Sequence, residues 1–288
     1  MEMLRIGGCD YQWIPRGPCL IGSPAGDPFA DEDEFPQHTV EFPYDYWCDR
    51  LPVTNRDFQQ FVNETGYVTL SEKIGWAYVF VPGVDEWQKI EGADWQHPTG
   101  PDSRITELLD HPVVSTGFFD AVAYIDWLNQ KFGGELPEGY RFSLPSEVEW
   151  EKAARGPDGR RYPWGDEFNG LGCWYESWEQ VGTMPVGSFS PEGDSPYGCA
   201  DMTGNTWDWT TTLWGPERYT RLFKYPYRMD DGREDQVAGR DYFRIIRGGS
   251  FKNNPDALRC ACRDLDPVEY ALNNLGFRVF IVPETPGK

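Results

Sequence analysis

Along the first half of the chain, apolar positions recur at helical spacing in three places, each bracketed by residues that start or stop a helix. Phe58, Phe61 and Val62 form an i, i+3, i+4 stripe behind Thr54 or Asn55, either of which can cap the helix, and Gly66 stops it. Ala121, Val122, Ile125 and Leu128 share one face of a second helix, from Phe118 to Lys131, ended by Gly133 and Gly134. The third begins after Ser146. Glu149, three residues on, completes a capping box, Pro145 and Trp150 make a hydrophobic staple, and Gly156 supplies a left-handed terminal residue. Beyond these helices the pattern changes to short β-like runs broken by Gly, Pro and Asp, among them Arg244-Ile245-Ile246 and Phe277 to Val282. No Ser-, Pro- or charge-rich linker divides the sequence, so one α+β domain over residues 1–288 is expected. Residues 68–110 read as an insertion with loops of its own, to which the pattern assigns no elements.

Composition adds that the chain folds. Aromatics make up 16% of it, including 13 Trp, whereas disordered chains are poor in large rings. The 31 Gly and 24 Pro follow no period, which predicts many turns and little regular structure. A formal charge of −21 repels nucleic-acid phosphate and anionic lipid and argues against both as partners; the run Asp31 to Glu34 reads as solvated surface. Met1 to Gly8 has no basic segment followed by an apolar run, and no apolar stretch is long enough to cross a bilayer. The cysteines stand at 9, 19, 48, 173, 199, 260 and 262, an odd number without CxxC spacing. Free thiols in a cytoplasmic protein are the expectation.

Several phrases then follow in a fixed order. Ile14-Pro15-Arg16-Gly17 with Ile21-Gly22-Ser23, Glu34-Phe35-Pro36-Gln37-His38-Thr39-Val40 and Leu51-Pro52-Val53-Thr54-Asn55 open the series. His111-Pro112-Val113-Val114, the run Arg141 to Glu151, Tyr162-Pro163-Trp164-Gly165 and Gly204-Asn205-Thr206-Trp207-Asp208-Trp209 continue it. Arg247-Gly248-Gly249-Ser250-Phe251 and Gly276-Phe277-Arg278 close it. In this order they resemble the formylglycine-generating-enzyme (sulfatase-modifying factor) family over nearly the whole chain, which implies a loop-rich C-type-lectin-like fold. Independently of any family, Gly165, Gly204, Gly248 and Gly249 suit positions of positive φ or close approach. Trp164, Trp207 and Trp209 supply buried area where regular structure is scarce.

The resemblance also implies a chemistry that this sequence has lost. The family's oxidases carry two cysteines just after Gly-Gly-Ser, which bind Cu(I) as thiolates and activate oxygen to convert a target cysteine to formylglycine. Here Asn253 stands at the first position and a shortened loop without cysteine at the second, so no copper is expected. Cys260 matches a different cysteine of the family. If Cys260 and Cys262 lie on a strand they share a face; they either grip a soft metal together or form an apolar row with Leu258. His38, His97 and His111 form no histidine-rich iron site. The family's Ca²⁺ turn maps onto Asp201, Gly204, Thr206 and Asp208, all able to offer oxygen to a hard cation. Its other calcium site is degraded, with Cys173 and Trp178 at ligand positions.

The segment from Arg247 to Arg278 also resembles the variable region of proteins diversified by retroelements. The fixed points of that pattern are Arg247 to Phe251, Asn253-Asn254-Pro255, Leu258-Arg259, Ala261, Arg263, Pro267 and Gly276-Phe277-Arg278. Between or near them Lys252, Ala257, Cys262, Asp264, Asp266, Tyr270 and Leu272 fall at varying positions, most of them reachable from an asparagine codon by adenine mutagenesis. This resemblance implies a non-catalytic surface for a protein or other macromolecular ligand, made by these residues with Asn253, with Tyr270 as its anchor. The alternative is a metal-dependent oxidoreductase with a different metal site.

Overall fold

A computed structural model describes residues 2–81, 84, 86–170, 172–175 and 182–284. Its architecture follows from two sheets, an antiparallel one that ties the ends of the chain together and a mixed one. β1 (Leu4–Ile6), β2 (Cys9–Ile14), β5 (Tyr46–Asp49), β13 (Phe280–Pro283) and β8 (Tyr140–Ser143) form one sheet in the order β1-β2-β5-β13-β8. Every residue of β5 is buried, as expected for the centre of a covered sheet. β9 (Trp207–Gly215), β10 (Phe243–Arg247), β11 (Arg263–Pro267) and β12 (Leu275–Gly276) form the second, ordered β11-β10-β9-β12 with β12 running parallel to β9, so β11 is an edge strand. β3 (Gly17–Ile21) and β4 (His38–Phe42) pair as a separate ribbon. The largest apolar cluster runs from Ile6 to Ile281 and includes Phe58, Phe118, Trp209 and Phe277, while a second gathers around Tyr46, Trp150, Cys260 and Phe280.

The three expected helices form where their caps place them. α1 (Asn55–Thr65) starts at Thr54, whose hydroxyl accepts from the Asp57 amide at 3.2 Å, and stops at Gly66 with φ 68°. α3 (Phe118–Phe132) extends one residue past the expected end, and its first turn is held by the Asp120 carboxylate accepting from Gly117 N at 2.8 Å. α4 (Glu147–Arg155) carries the Ser146/Glu149 capping box. Gly156 departs from expectation: its φ is 74° but its ψ is −168°, outside the left-handed helical region. A Cβ there would lie 2.4 Å from Pro196 Cγ, so close approach also demands glycine.

Two strand expectations shift. Arg244 to Ile246 lie within β10, but Phe277 to Val282 is not one strand, because β13 begins only at Phe280. The carbonyls of Phe277 and Val279 accept instead from Val53 N at 3.1 Å and Asp49 N at 2.8 Å. Residues 68–110 contain α2 (Leu70–Ile74), β6 (Trp76–Val81) and β7 (Glu86–Glu91), the two strands pairing as a hairpin. This hairpin is sewn to the C-terminal segment: Tyr78 N donates to Ala271 O at 2.8 Å and Asn273 N donates to Tyr78 O at 3.0 Å. All seven cysteines are free thiols, and among the described residues no helix is long and apolar enough to cross a membrane.

Candidate ligand-binding pocket

The segment from Arg247 to Arg278 divides its side chains into two groups. Its four fixed arginines point inward and are at most 5% exposed. Arg247 donates to the carbonyls of Cys260, Ala261 and Cys262 and pairs with the fully buried Glu151. Arg259 grips Glu34 through both terminal nitrogens at 2.6 and 2.8 Å. Arg263 holds Glu147 in the same bidentate way at 2.7 and 2.9 Å. Burial works to raise the Glu147 carboxyl, but Arg263 and Arg247 outweigh it and the net shift is downward. Arg278 spreads over the carbonyls of Asp49, Arg50, Ala200 and Asp201 and faces Asp208. Planar guanidinium groups suit such sites because each supplies five fixed donors. They cross-link a stretch with little regular structure.

The other group opens outward. Lys252, Asn253, Asp264, Asp266, Tyr270 and Leu272 line one pocket of about 390 Å³. Tyr78 and Trp87 from the β6–β7 hairpin, Trp207, Ile246 and Asn274 from the scaffold, and Arg218 complete its wall. The Tyr78 and Tyr270 rings lie 4.8 Å apart, and Lys252 Nζ stands 4.1 Å from the Phe80 centroid and 5.2 Å from that of Trp87. On β11 the Asp264 and Asp266 side chains fall on the same face, as residues two apart must. Asp264 accepts from Arg218 at 3.2 Å and from Leu265 N at 2.8 Å. Among the hydrogen bonds of the described residues none reaches the Asp266 carboxyl. Its burial, and next the neighbouring Asp264, push it up to about 8 against the pull of Arg218.

Two residues expected on this surface are elsewhere. Cys262 is 5% exposed and belongs to the main core cluster; its thiol is held far above the usual range, first by burial. Ala257 sits in a 3-10 turn, Pro255–Leu258, and packs against that core. The expectation that Cys260 and Cys262 share a strand face also fails, because the chain turns at 259–261 and β11 starts at Arg263. Leu258, Cys260 and Cys262 enter three different apolar clusters, so they do not form a single apolar row. Burial pushes Cys260 up to about 12. Asn253, at the first copper-cysteine position, accepts from Ser250 N at 2.9 Å and Ser250 Oγ at 2.7 Å, locking the turn after Gly-Gly-Ser. Sequence reasoning missed Tyr78, Trp87 and Arg218, although the aromatic density of 76–87 was a visible signal.

The turn from Asp201 to Asp208 lies directly behind this segment. Gly204 N donates to Gly248 O at 2.9 Å and Phe251 N to Asn205 O at 3.0 Å. Gly204 has φ 79°, and a Cβ there would meet the Trp174 carbonyl at 2.3 Å. Asp201 Oδ2 accepts from Gly187 N at 2.6 Å, and Asp208 Oδ2 from Trp150 Nε1 at 2.9 Å. Thr206 Oγ1 and Asp208 Oδ1 are buried without a protein partner, so two of the four turn residues keep an oxygen free for a cation. Cys173 is buried among Tyr162 and Leu258, while Trp178 lies outside the described residues. Among the described residues no three His, Cys, Asp or Glu side chains cluster as metal ligands, and His38, His97 and His111 bond to Pro36, Asp94 and Thr183.

Scaffold and pocket together define a C-type-lectin-like protein of α+β class, whose C-terminal loops carry the candidate site. The chain belongs to the sulfatase-modifying factor enzyme 1-like domain family, which it matches over residues 9–282. It is 33% identical to the formylglycine-generating enzyme of Thermomonospora curvata, over 92% of this chain and 91% of that one. The protein named inactive C-alpha-formylglycine-generating enzyme 2 of Mus musculus is 32% identical, over 92% and 83%. Among solved structures, PvdO from Pseudomonas aeruginosa superposes with a TM-score of 0.69 at 22% identity, covering 96% of this chain and 99% of that one. Treponema denticola variable protein 1 superposes at 0.64 and 18% identity, covering 98% of each. These two likenesses are of fold.

Proposed function

We propose that the protein is a non-catalytic ligand-binding member of its family, holding part of a protein or other macromolecule in the pocket between the C-terminal segment and the β6–β7 hairpin. The observation that carries this reading is the division within Arg247 to Arg278. Its fixed arginines are buried as cross-links, whereas six of the eight candidate contact residues line one pocket. A rigid frame bearing chemically mixed outward side chains is what a binding surface needs, and about 390 Å³ accommodates a side chain or small headgroup. The locked Asn253 turn supports loss of the copper thiolate chemistry. The family also includes a relative named as inactive.

Calcium at Asp201, Gly204, Thr206 and Asp208 belongs to the same proposal. When bound it would neutralise Asp208 and brace the turn that carries Gly248 and Phe251. Retroelement diversification of the segment is a further part of it, and a genome without an adjacent reverse transcriptase and template repeat removes that part. The central test is metal analysis with oxygen-consumption measurements on purified protein. Calcium alone, or no metal, with no oxygen uptake supports binding; stoichiometric copper or iron with oxygen uptake overturns it in favour of an oxidoreductase with a different metal site.

A further inference from the structure

Resting on the binding reading above, we propose that the pocket selects a cationic group, an alkylammonium or guanidinium, seated against Asp266 and Asp264 between aromatic walls. Arg218 is committed to Asp264 at 3.2 Å and also donates to Leu265 O at 3.2 Å. Lys252 stands over the Phe80 and Trp87 rings on the hairpin side. Lys89 stands over Trp76 at 4.1 Å and Tyr78 at 5.7 Å. The second carboxyl on the same face of β11, Asp266, is left without a hydrogen bond among the described residues. A partly buried carboxyl in that state has two ways to lower its energy, keeping a proton or taking a cation.

The walls favour the cation. Tyr78, Trp87, Trp207 and Tyr270 line the pocket, and such rings attract ammonium and guanidinium groups through their faces while packing on an alkyl stem. Two of them, Tyr78 and Trp87, already have resident ammonium groups within 5.7 and 5.2 Å of their centroids. The net charge of −21 adds long-range attraction for a cation and repulsion for an anion. The groups facing Asp266 that can gain or lose charge are Asp264 on its own strand, Arg218, and the Tyr78 and Tyr270 hydroxyls, with Lys252 across the pocket. An entering cation therefore displaces the proton of Asp266, which at neutral pH is held by burial and by Asp264.

The test uses the full chain with three probes of one shape, benzylamine, benzyl alcohol and benzoate. Saturation-transfer NMR and calorimetry read binding, and calorimetry in buffers of different ionisation enthalpy reads proton release. Benzylamine is expected to bind roughly tenfold more tightly than the other two, with release of about one proton per site at pH 7. Asp266→Asn, nearly isosteric with the protonated carboxyl, should keep the parent thermal transition and lose both the preference and the proton. Preference for benzyl alcohol or benzoate, abolished by Trp87→Ala, would overturn the cation inference and leave the binding reading standing. Binding of none of the three would overturn both.

Discussion

Replacing Arg263 by methionine isolates the role of the buried arginines. The side chains of Arg263 and Glu147 are 1% and 0% exposed, and the pair is joined by two hydrogen bonds of 2.7 and 2.9 Å. Methionine fills similar volume but leaves the Glu147 carboxylate with one donor from a tyrosine, the Tyr225 hydroxyl at 3.2 Å, in place of a guanidinium fork. Removing one partner of a buried ion pair costs about 3–5 kcal/mol. Against a total stability of about 5–15 kcal/mol, that is a large fraction. With a urea slope of about 3 kcal/mol/M, the unfolding midpoint should fall by roughly 1–1.7 M. Tryptophan fluorescence during urea titration measures it, the chain carrying 13 Trp. The double variant Arg263→Met with Glu147→Gln removes the buried Glu147 charge, leaving only Asp33, 17% exposed, without its 3.1 Å contact to Arg263, and should regain at least half of the loss. A single variant within about 1 kcal/mol of the parent, or a double variant worse than the single, would refute the claim that this pair clamps the segment.

Three further outcomes follow from the same geometry. Gly249→Ala forces a side chain into a backbone with φ 72° and places its Cβ 2.5 Å from Leu258 Cδ2, so a loss of about 1–3 kcal/mol is expected, and an unchanged melting temperature would contradict it. Burial pushes Asp49 up to about 8, so the folded state keeps a proton the unfolded chain releases near pH 4. The Asp49 contribution to stability should accordingly be fully present below that pH and decline towards pH 8, and Asp49→Asn should flatten the profile between the two; a profile identical in both proteins removes Asp49 as its cause. Calcium at 100 times its dissociation constant should add about 2.7 kcal/mol, read as a rise in melting temperature over protein in EGTA. Asp208→Asn should abolish that rise, and equal rises in both proteins would place the ion elsewhere.

How much was legible in the sequence depended on whether a feature is local. α1 and α4 were readable because Thr54 with Asp57 and Ser146 with Glu149 satisfy backbone groups within their own first turns. The break at Phe277 to Val279 was not, because it depends on partners more than 200 residues away, with Arg278 drawn towards the Asp49 and Arg50 carbonyls. Likewise, Cys260 and Cys262 looked like neighbours on a strand until the turn at 259–261 sent them into separate clusters. The pocket residues of the C-terminal segment were visible from their place between fixed phrases. Their partners on the hairpin were not, since nothing in residues 76–91 announces that Tyr78 pairs with the chain beside Leu272.

That pairing gives the site two authors. The C-terminal segment writes one wall, and a hairpin encoded almost 200 residues earlier writes the other, joined to it through Tyr78 backbone bonds of 2.8 and 3.0 Å. Main-chain bonds are indifferent to side-chain identity, so either wall can change its chemistry while the seam stays closed. For a ligand held as proposed, selectivity would thus be rewritten by exchanging the hairpin alone, with every residue from Arg247 to Arg278 left as it stands.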